Sequence, residues 1–379
     1  MAGITEVWLR RIAPEVATQN EGRIPNKLQE LLKRGNLRKV PAIRARLQEP
    51  ALSEGMRVTA TGKKLHHFVP RFYLRAWEKE GKLFCLQNGS IRRDTVRNLG
   101  AENYFYRLRQ LRAEDVDFLR AFIDRSPEGL KASHRRLLNA FRAPLLAKRN
   151  LVALGLATRE GLAELERRIV ELNEELHTGI EDDFQPQLAA MIAGDLSFLE
   201  DDGRAAVFYG ALSVQYARTN HIRKTRLVMD RERFALYERI TNLLVHFLAA
   251  NVGSSLYADR KRHKIVLLDN KTDVPFITGD QPVINIASGP KEEDPPQKFE
   301  LFYPLSPKRA MLLLEPPGPF PATTSPVSEM FASMCNLRIA AASYRQVFSD
   351  SLGALESVIE QMRAYLSCFP EPDAKVDSR

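Results

Sequence analysis

Hydrophobic and polar positions along the chain change period several times, and each change predicts a different element. In the run after Gly161, Leu162, Leu165, Ile169, Leu172 and Leu176 alternate by three and four. That spacing makes a narrow apolar stripe on a helix. It covers little more than two heptads, so packing against another helix is expected rather than a coiled coil. Helical periodicity extends over residues 113–250, with further helices around 204–220 and 230–250. Ser126-Pro127-Glu128 is a start signal for one of them, Ser126 as cap and Pro127 at the first helical position.

Two regions read as extended. Lys82 to Gln87 and Ser90 to Val96 flank Asn88-Gly89, and both positions of such a two-residue turn need positive φ, so a hairpin is predicted. Over 263–315, Lys264 to Asp269, Pro275 to Thr278, Pro282 to Ile286, Phe299 to Tyr303 and Ala310 to Leu314 are short apolar or β-branched runs separated by breakers. Ser288 to Gln297 and Pro316 to Pro326 read as exposed Pro-rich loops. Residues 327–367 read as two helices, the last around Leu352 to Leu366. Strands and helices do not alternate regularly, which argues for an α+β fold, mostly helical with a small antiparallel β region. The expected organisation is a basic helical arm over 1–60, including a short helix from Asn26 to Arg34, and a main domain over 61–379. Within that domain lie the hairpin region 65–106, helices 113–250, the sheet 263–315 and C-terminal helices 327–367.

Charge sharpens the picture. The chain has 379 residues and a formal charge of +9. Residues 1–75 hold fifteen Lys and Arg against six acids, so they carry the whole excess; the other 41 basic and 41 acidic residues cancel. A local positive field attracts polyanions, nucleic acid among them; a solvated basic arm is the plainer alternative. Cys85, Cys335 and Cys368 are far apart and show no zinc spacing, so thiols acting as small apolar residues in a reducing compartment are expected. No run approaches the ~20 apolar residues of a membrane span, and the first residues lack a signal-peptide pattern. The expectation is a cytoplasmic protein without a membrane partner. No P-loop, GxGxxG, GxSxG or HExxH motif is present.

Three polar constellations remain. The segment Lys63-Lys64-Leu65-His66-His67-Phe68-Val69-Pro70-Arg71-Phe72-Tyr73-Leu74 places adjacent histidines beside basic and aromatic residues. Only one of two neighbours on a strand can face a given site. That histidine would act as general base or ligand, or else sit satisfied under Tyr73 and Trp77. Pro70 should end the strand and allow a helix from Arg71. Gln215 and Arg218 share a helix face, suited either to an anionic oxygen or to bracing. Asp280, in Thr278-Gly279-Asp280-Gln281-Pro282-Val283, is either a catalytic or metal-binding carboxylate at a strand end, or part of a tight turn. Glu181-Asp182-Asp183 is a weaker acidic run.

Taken in order, these segments resemble the domain of unknown function 4238 family over about residues 63–350. The likeness rests on His67-Phe68-Val69-Pro70-Arg71-Phe72-Tyr73-Leu74, Asn98-Leu99-Gly100-Ala101-Glu102 with Phe105-Tyr106, Gln215-x-x-Arg218-Thr219, Phe276 to Val283, and Pro304 to Pro307. The resemblance implies that His66 or His67, Gln215 with Arg218, and Asp280 converge. The spacing of His67 and Pro70 is also faintly similar to His-metal finger nucleases, although no histidine follows His67 until His134. Two functional expectations stand side by side. The first is a hydrolase on a phosphate-containing substrate, a nuclease or phosphodiesterase. There His66, His67 and Asp280 would be catalytic, and Gln215, Arg218 and Arg71 would bind substrate. Mg or Mn would be held by His67, Asp280 and Glu181. The second is a non-catalytic module that binds nucleic acid or protein through its basic N-terminal residues. The two separate on one point: catalytic heads meet in an open pocket, whereas bracing heads are buried and paired.

Overall fold

The computed structural model describes residues 64–223, 234–287, 299–316 and 323–368; the expected arm over 1–60 and the loop 288–297 lie outside them. In chain order the elements begin with β1 (Leu65–His67), α1 (Arg71–Leu74), β2 (Leu83–Gln87), β3 (Ser90–Asp94) and β4 (Ala101–Asn103). Helices α2 (Ala113–Arg125), α3 (Glu128–Ala153), α4 (Arg159–Ala193), α5 (Asp202–Ala217) and α6 (Phe234–Ala258) follow. The last part holds β5 (Lys264–Asp269), β6 (Thr278–Gly279), β7 (Ile284–Asn285), β8 (Leu301–Ser306), β9 (Arg309–Leu314), β10 (Thr324–Pro326), α7 (Glu329–Ala342), β11 (Gln346–Ser349) and α8 (Leu352–Cys368). The fold is α+β.

The described chain divides into two compact units built from interleaved segments. Unit 1 holds residues 64–66, Glu102–Asp183 and 234–254; unit 2 holds 67–101, the described parts of 184–229, and those from 255 onward.

Unit 1 is chiefly helical. The stripe Leu162, Ile169, Leu172 and Leu176 is buried and continues through Ile180. Leu119 and Ile123 of α2, Leu137 and Phe141 of α3, and Ile240, Leu243 and Phe247 of α6 are buried as well. The start of α3 departs from expectation. Pro127 is itself the N-cap. Ser126 is drawn elsewhere: its hydroxyl donates to the Phe122 carbonyl and accepts from Asn251 Nδ2.

Unit 2 contains two sheets, ordered β10-β5-β9-β8-β7 and β3-β2-β11-β6. The predicted hairpin is present: Gln87 opposes Ser90, with φ of 51° at Asn88 and 74° at Gly89. Val266, Leu268, Leu312, Leu314 and Phe302 form one core with Ala332, Cys335 and Ile339 of α7 and Leu355 and Val358 of α8. Cys85 and Cys335 are buried free thiols. Two strands escape the sequence pattern. Residues 324–326, read as loop, pair in parallel with β5. Gln346–Ser349, within the stretch read as two helices, is the strand between β2 and β6. No helix among the described residues is long and apolar enough to cross a membrane.

Candidate functional site

The polar residues of the matched motifs gather mainly in unit 2, and Asp280 is their centre. It follows β6, whose Gly279 packs against the segment leading into β11. A Cβ on Gly279 would lie 1.9 Å from Ser343 Oγ, closer than any side chain tolerates. That fit lets the chain bring three backbone N–H groups onto one carboxylate. Tyr344 N donates to Asp280 Oδ1 at 2.7 Å, while Arg345 N and Gln346 N donate to Oδ2 at 2.8 and 3.0 Å. Asp280 N donates in turn to the Gln346 carbonyl at 2.9 Å. The carboxylate is 1% exposed. Burial pushes its pKa up to about 6, against the three N–H donors that pull it down.

The neighbouring Gln281 reaches the end of α5. Its Nε2 donates to the carbonyls of Tyr216 (3.2 Å) and Val283 (2.7 Å), and its Oε1 accepts from the Thr219 hydroxyl. The Gln215–Thr219 and Gly279–Val283 motifs therefore do meet, through Gln281 and Thr219 rather than through Asp280. Arg218 and Gln215 are buried at 1% and 2%. Gln215 Oε1 has no hydrogen-bond partner among the described residues, and neither does either amide atom of Asn220.

The histidine motif contributes a strut. Tyr73 is fully buried, and its hydroxyl donates to the Pro304 carbonyl at 2.8 Å. Its single proton being used, it accepts from the Thr278 hydroxyl at 2.6 Å. Trp77 Nε1 donates to the Phe276 carbonyl at 2.9 Å. His67 Nε2 lies 3.0 Å from the Arg97 carbonyl; a carbonyl only accepts, so this nitrogen carries the proton. Phe68 N and Val69 N both donate to the Gly100 carbonyl. Gly100 has φ of +60°, and a Cβ there would come 2.7 Å from Val69 Cβ, which explains the glycine in that motif. Gly100 N donates to Gln346 Oε1 at 3.0 Å. Arg71 is exposed on α1.

His66 and Glu181 belong to unit 1. His66 is fully buried, and its Nδ1 accepts from Tyr106 N at 2.9 Å. Its ring stacks on Tyr106, Tyr106 packs against His177 at 4.3 Å, and His177 against His246 at 4.9 Å. His246 Nε2 donates to Asn173 Oδ1 at 2.6 Å. Sequence reading missed this buried series. Asn173 and His177, four apart beside the Leu172 and Leu176 stripe, were the available signal. Glu181 lies half-buried on α4. Among the described residues no three His, Cys, Asp or Glu side chains gather so as to hold a metal ion. His67, Asp280 and Glu181 therefore do not compose the expected Mg or Mn site.

The α+β fold and these motifs together define a structural class. Residues 65–352 match the family described as Protein of unknown function (DUF4238), and the chain belongs to it. No curated protein and no solved structure matches the chain.

Proposed function

We propose that the chain is a non-catalytic module that binds nucleic acid through its basic residues 1–75, with the polar set of unit 2 serving as scaffold. The Asp280 carboxylate carries this reading. A general base or metal ligand needs a lone pair directed at an accessible target, whereas backbone N–H groups take three of the four lone pairs of the Asp280 carboxylate, and the residue is 1% exposed. Arg218 and Gln215 are likewise buried rather than presented to a phosphodiester. The charge excess confined to residues 1–75 supports nucleic acid as the partner.

The test is salt-dependent binding of the full chain to one DNA duplex, with Lys33, Arg34, Arg38 and Lys39 changed together to Gln. The slope of log affinity against log salt should fall by about 0.9 for each phosphate that is no longer neutralised. An unchanged slope rejects the nucleic-acid role. A phosphodiesterase activity with Mg²⁺ or Mn²⁺ that His67→Ala abolishes in a folded protein would replace this reading with the hydrolase.

A further inference from the structure

Unit 1 carries a cleft that the matched motifs do not touch. It lies between the start of α2 and the middle of α3 and encloses about 250 Å³. Arg112 and Arg120 border it on one side, Arg142 and Arg149 on the other, with Val116 and Leu145 as apolar wall. Arg142, Leu145 and Arg149 stand three and four apart, so a single face of α3 supplies them.

Among the residues lining the cleft, the one carboxylate is Asp117, which leaves four guanidiniums with a net charge of +3. Asp117 sits 3.5 Å from Arg120, and both side chains are mostly exposed, so that pair is largely screened. Arg112 is 3.6 Å from Glu114. Among the described residues no carboxylate pairs with Arg142 or Arg149, and Arg149 Nε is buried without an acceptor. Burial, followed by the positive charges of Arg120 and Arg149, pulls the Arg142 guanidinium below its ordinary value. Like charges gathered on a partly desolvated wall oppose folding. An anion in the cleft would attract every one of these guanidiniums and so offset their mutual repulsion.

We propose that this cleft binds a phosphate monoester. Charge selects the class: a monoester carries about −1.5 to −2 near neutral pH and offers three terminal acceptor oxygens, which several guanidinium forks can share. A diester brings only one charge. Size agrees, because pockets for whole small ligands begin at about 300 Å³. This cleft takes the phosphate and little of what carries it, leaving the carrier in solvent. A terminal phosphate fits, whether on a mononucleotide or at the end of a strand. The site is independent of what residues 1–75 bind.

The experiment uses the full chain and titration calorimetry with adenosine 5′-monophosphate, adenosine and inorganic phosphate. Oligonucleotides with a 5′-phosphate or a 5′-hydroxyl form a second arm. The monophosphate or the 5′-phosphorylated strand should bind at least tenfold tighter than its unphosphorylated counterpart. Arg142→Gln and Arg149→Gln should each remove at least tenfold of that affinity. Arg135→Gln, which alters a surface pair with Asp124 on the neighbouring helix, should leave it unchanged. A thermal melt at or above that of the unaltered protein shows that the cleft variants fold. A larger gain from the 5′-phosphate on the strand than on adenosine, lost in Arg142→Gln, identifies the strand end as the source; the reverse identifies the free nucleotide. The proposal is overturned if phosphorylated and unphosphorylated probes bind alike, if both cleft variants bind as the unaltered protein does, or if no probe binds at millimolar concentration. The reading of residues 1–75 survives each of these results if the salt slope still responds to its own substitutions.

Discussion

The two units solve the same problem, how to bury charge, with different partners. Unit 1 sets buried acids against side-chain cations brought in from other segments. Glu166 is held by Arg107 and by Lys148 at 2.6 Å, and Asp115 receives both arms of the Arg239 fork at 2.7 Å. Unit 2 sets Asp280 against three backbone N–H groups of one turn. A side-chain partner can be mutated or titrated away, while a backbone donor is fixed by the fold itself. Unit 1 also holds Arg142 and Arg149 without a carboxylate among the described residues, and in the proposal above the balancing charge comes from a ligand.

The sharpest way to break this comparison is to neutralise one acid in each unit. Asp115→Asn should cost about 3 kcal/mol, because Arg239 then loses both fork contacts to a buried carboxylate and keeps only the exposed Glu114. Asp280→Asn should cost about 2 kcal/mol, because an amide turns a donor toward N–H groups that need an acceptor. Urea denaturation midpoints measure both, and an Asp280→Asn cost below about 0.5 kcal/mol would mean that the turn does not depend on the acid.

The pH profiles should have opposite signs. Burial raises the Asp115 carboxyl, but the Arg239 fork and the Arg112 N–H outweigh it and leave it below the ordinary carboxylate value. Its stabilisation is present above pH ~4 and lost as pH falls through the folded value. Asp280 is raised to about 6. The folded protein therefore keeps a proton that the unfolded chain has released, and stability declines from pH ~4 up to about 6. Unfolding free energies at pH 3–7 should show Asp280→Asn flattening the upper interval and Asp115→Asn the acid limb. Interchanged effects would refute the assignment.

Gly279→Ala should destabilise by about 1–3 kcal/mol through overpacking on Ser343. Adding Ser343→Ala should recover part of that loss, and strict additivity in the double-mutant cycle would show that the contact does not set the cost. The smallest effect is expected at Asn220. Its amide has no partner among the described residues, so Asn220→Leu should stay within about 0.5 kcal/mol of the starting protein. A loss above about 1 kcal/mol would show that water or a ligand meets the amide there.

Much of the architecture is readable where the signal is local. The Asn88-Gly89 turn announces itself because few residues accept positive φ twice running. Lys264–Asp269 reads as a strand with its observed limits because Val and Ile crowd a segment that is buried between two neighbours. Long-range pairing leaves no such mark. Gln346–Ser349 is four residues between two helices, and only its partners on either side make it a strand. The polar motifs pose the same difficulty. A Gly-Asp turn looks identical whether its carboxylate faces solvent or the N–H groups of residues 64 to 66 positions away. The arginine cleft is hidden because Arg142 and Arg149, taken alone, resemble the solvated face of any long helix.

The pairing of β2 with β11 has a consequence for the growing chain. Gln346 and Gln87 stand 259 positions apart, yet their side chains meet at 3.1 Å. A ribosome delivers the hairpin some 259 residues before its sheet partner, so β2 leaves the exit tunnel with one edge open and keeps it open until β11 follows. At elongation rates of about 5–20 residues per second, that wait is on the order of 10–50 s. The exposed side of Leu83–Gln87 is thus the segment where a chaperone has the longest opportunity to act.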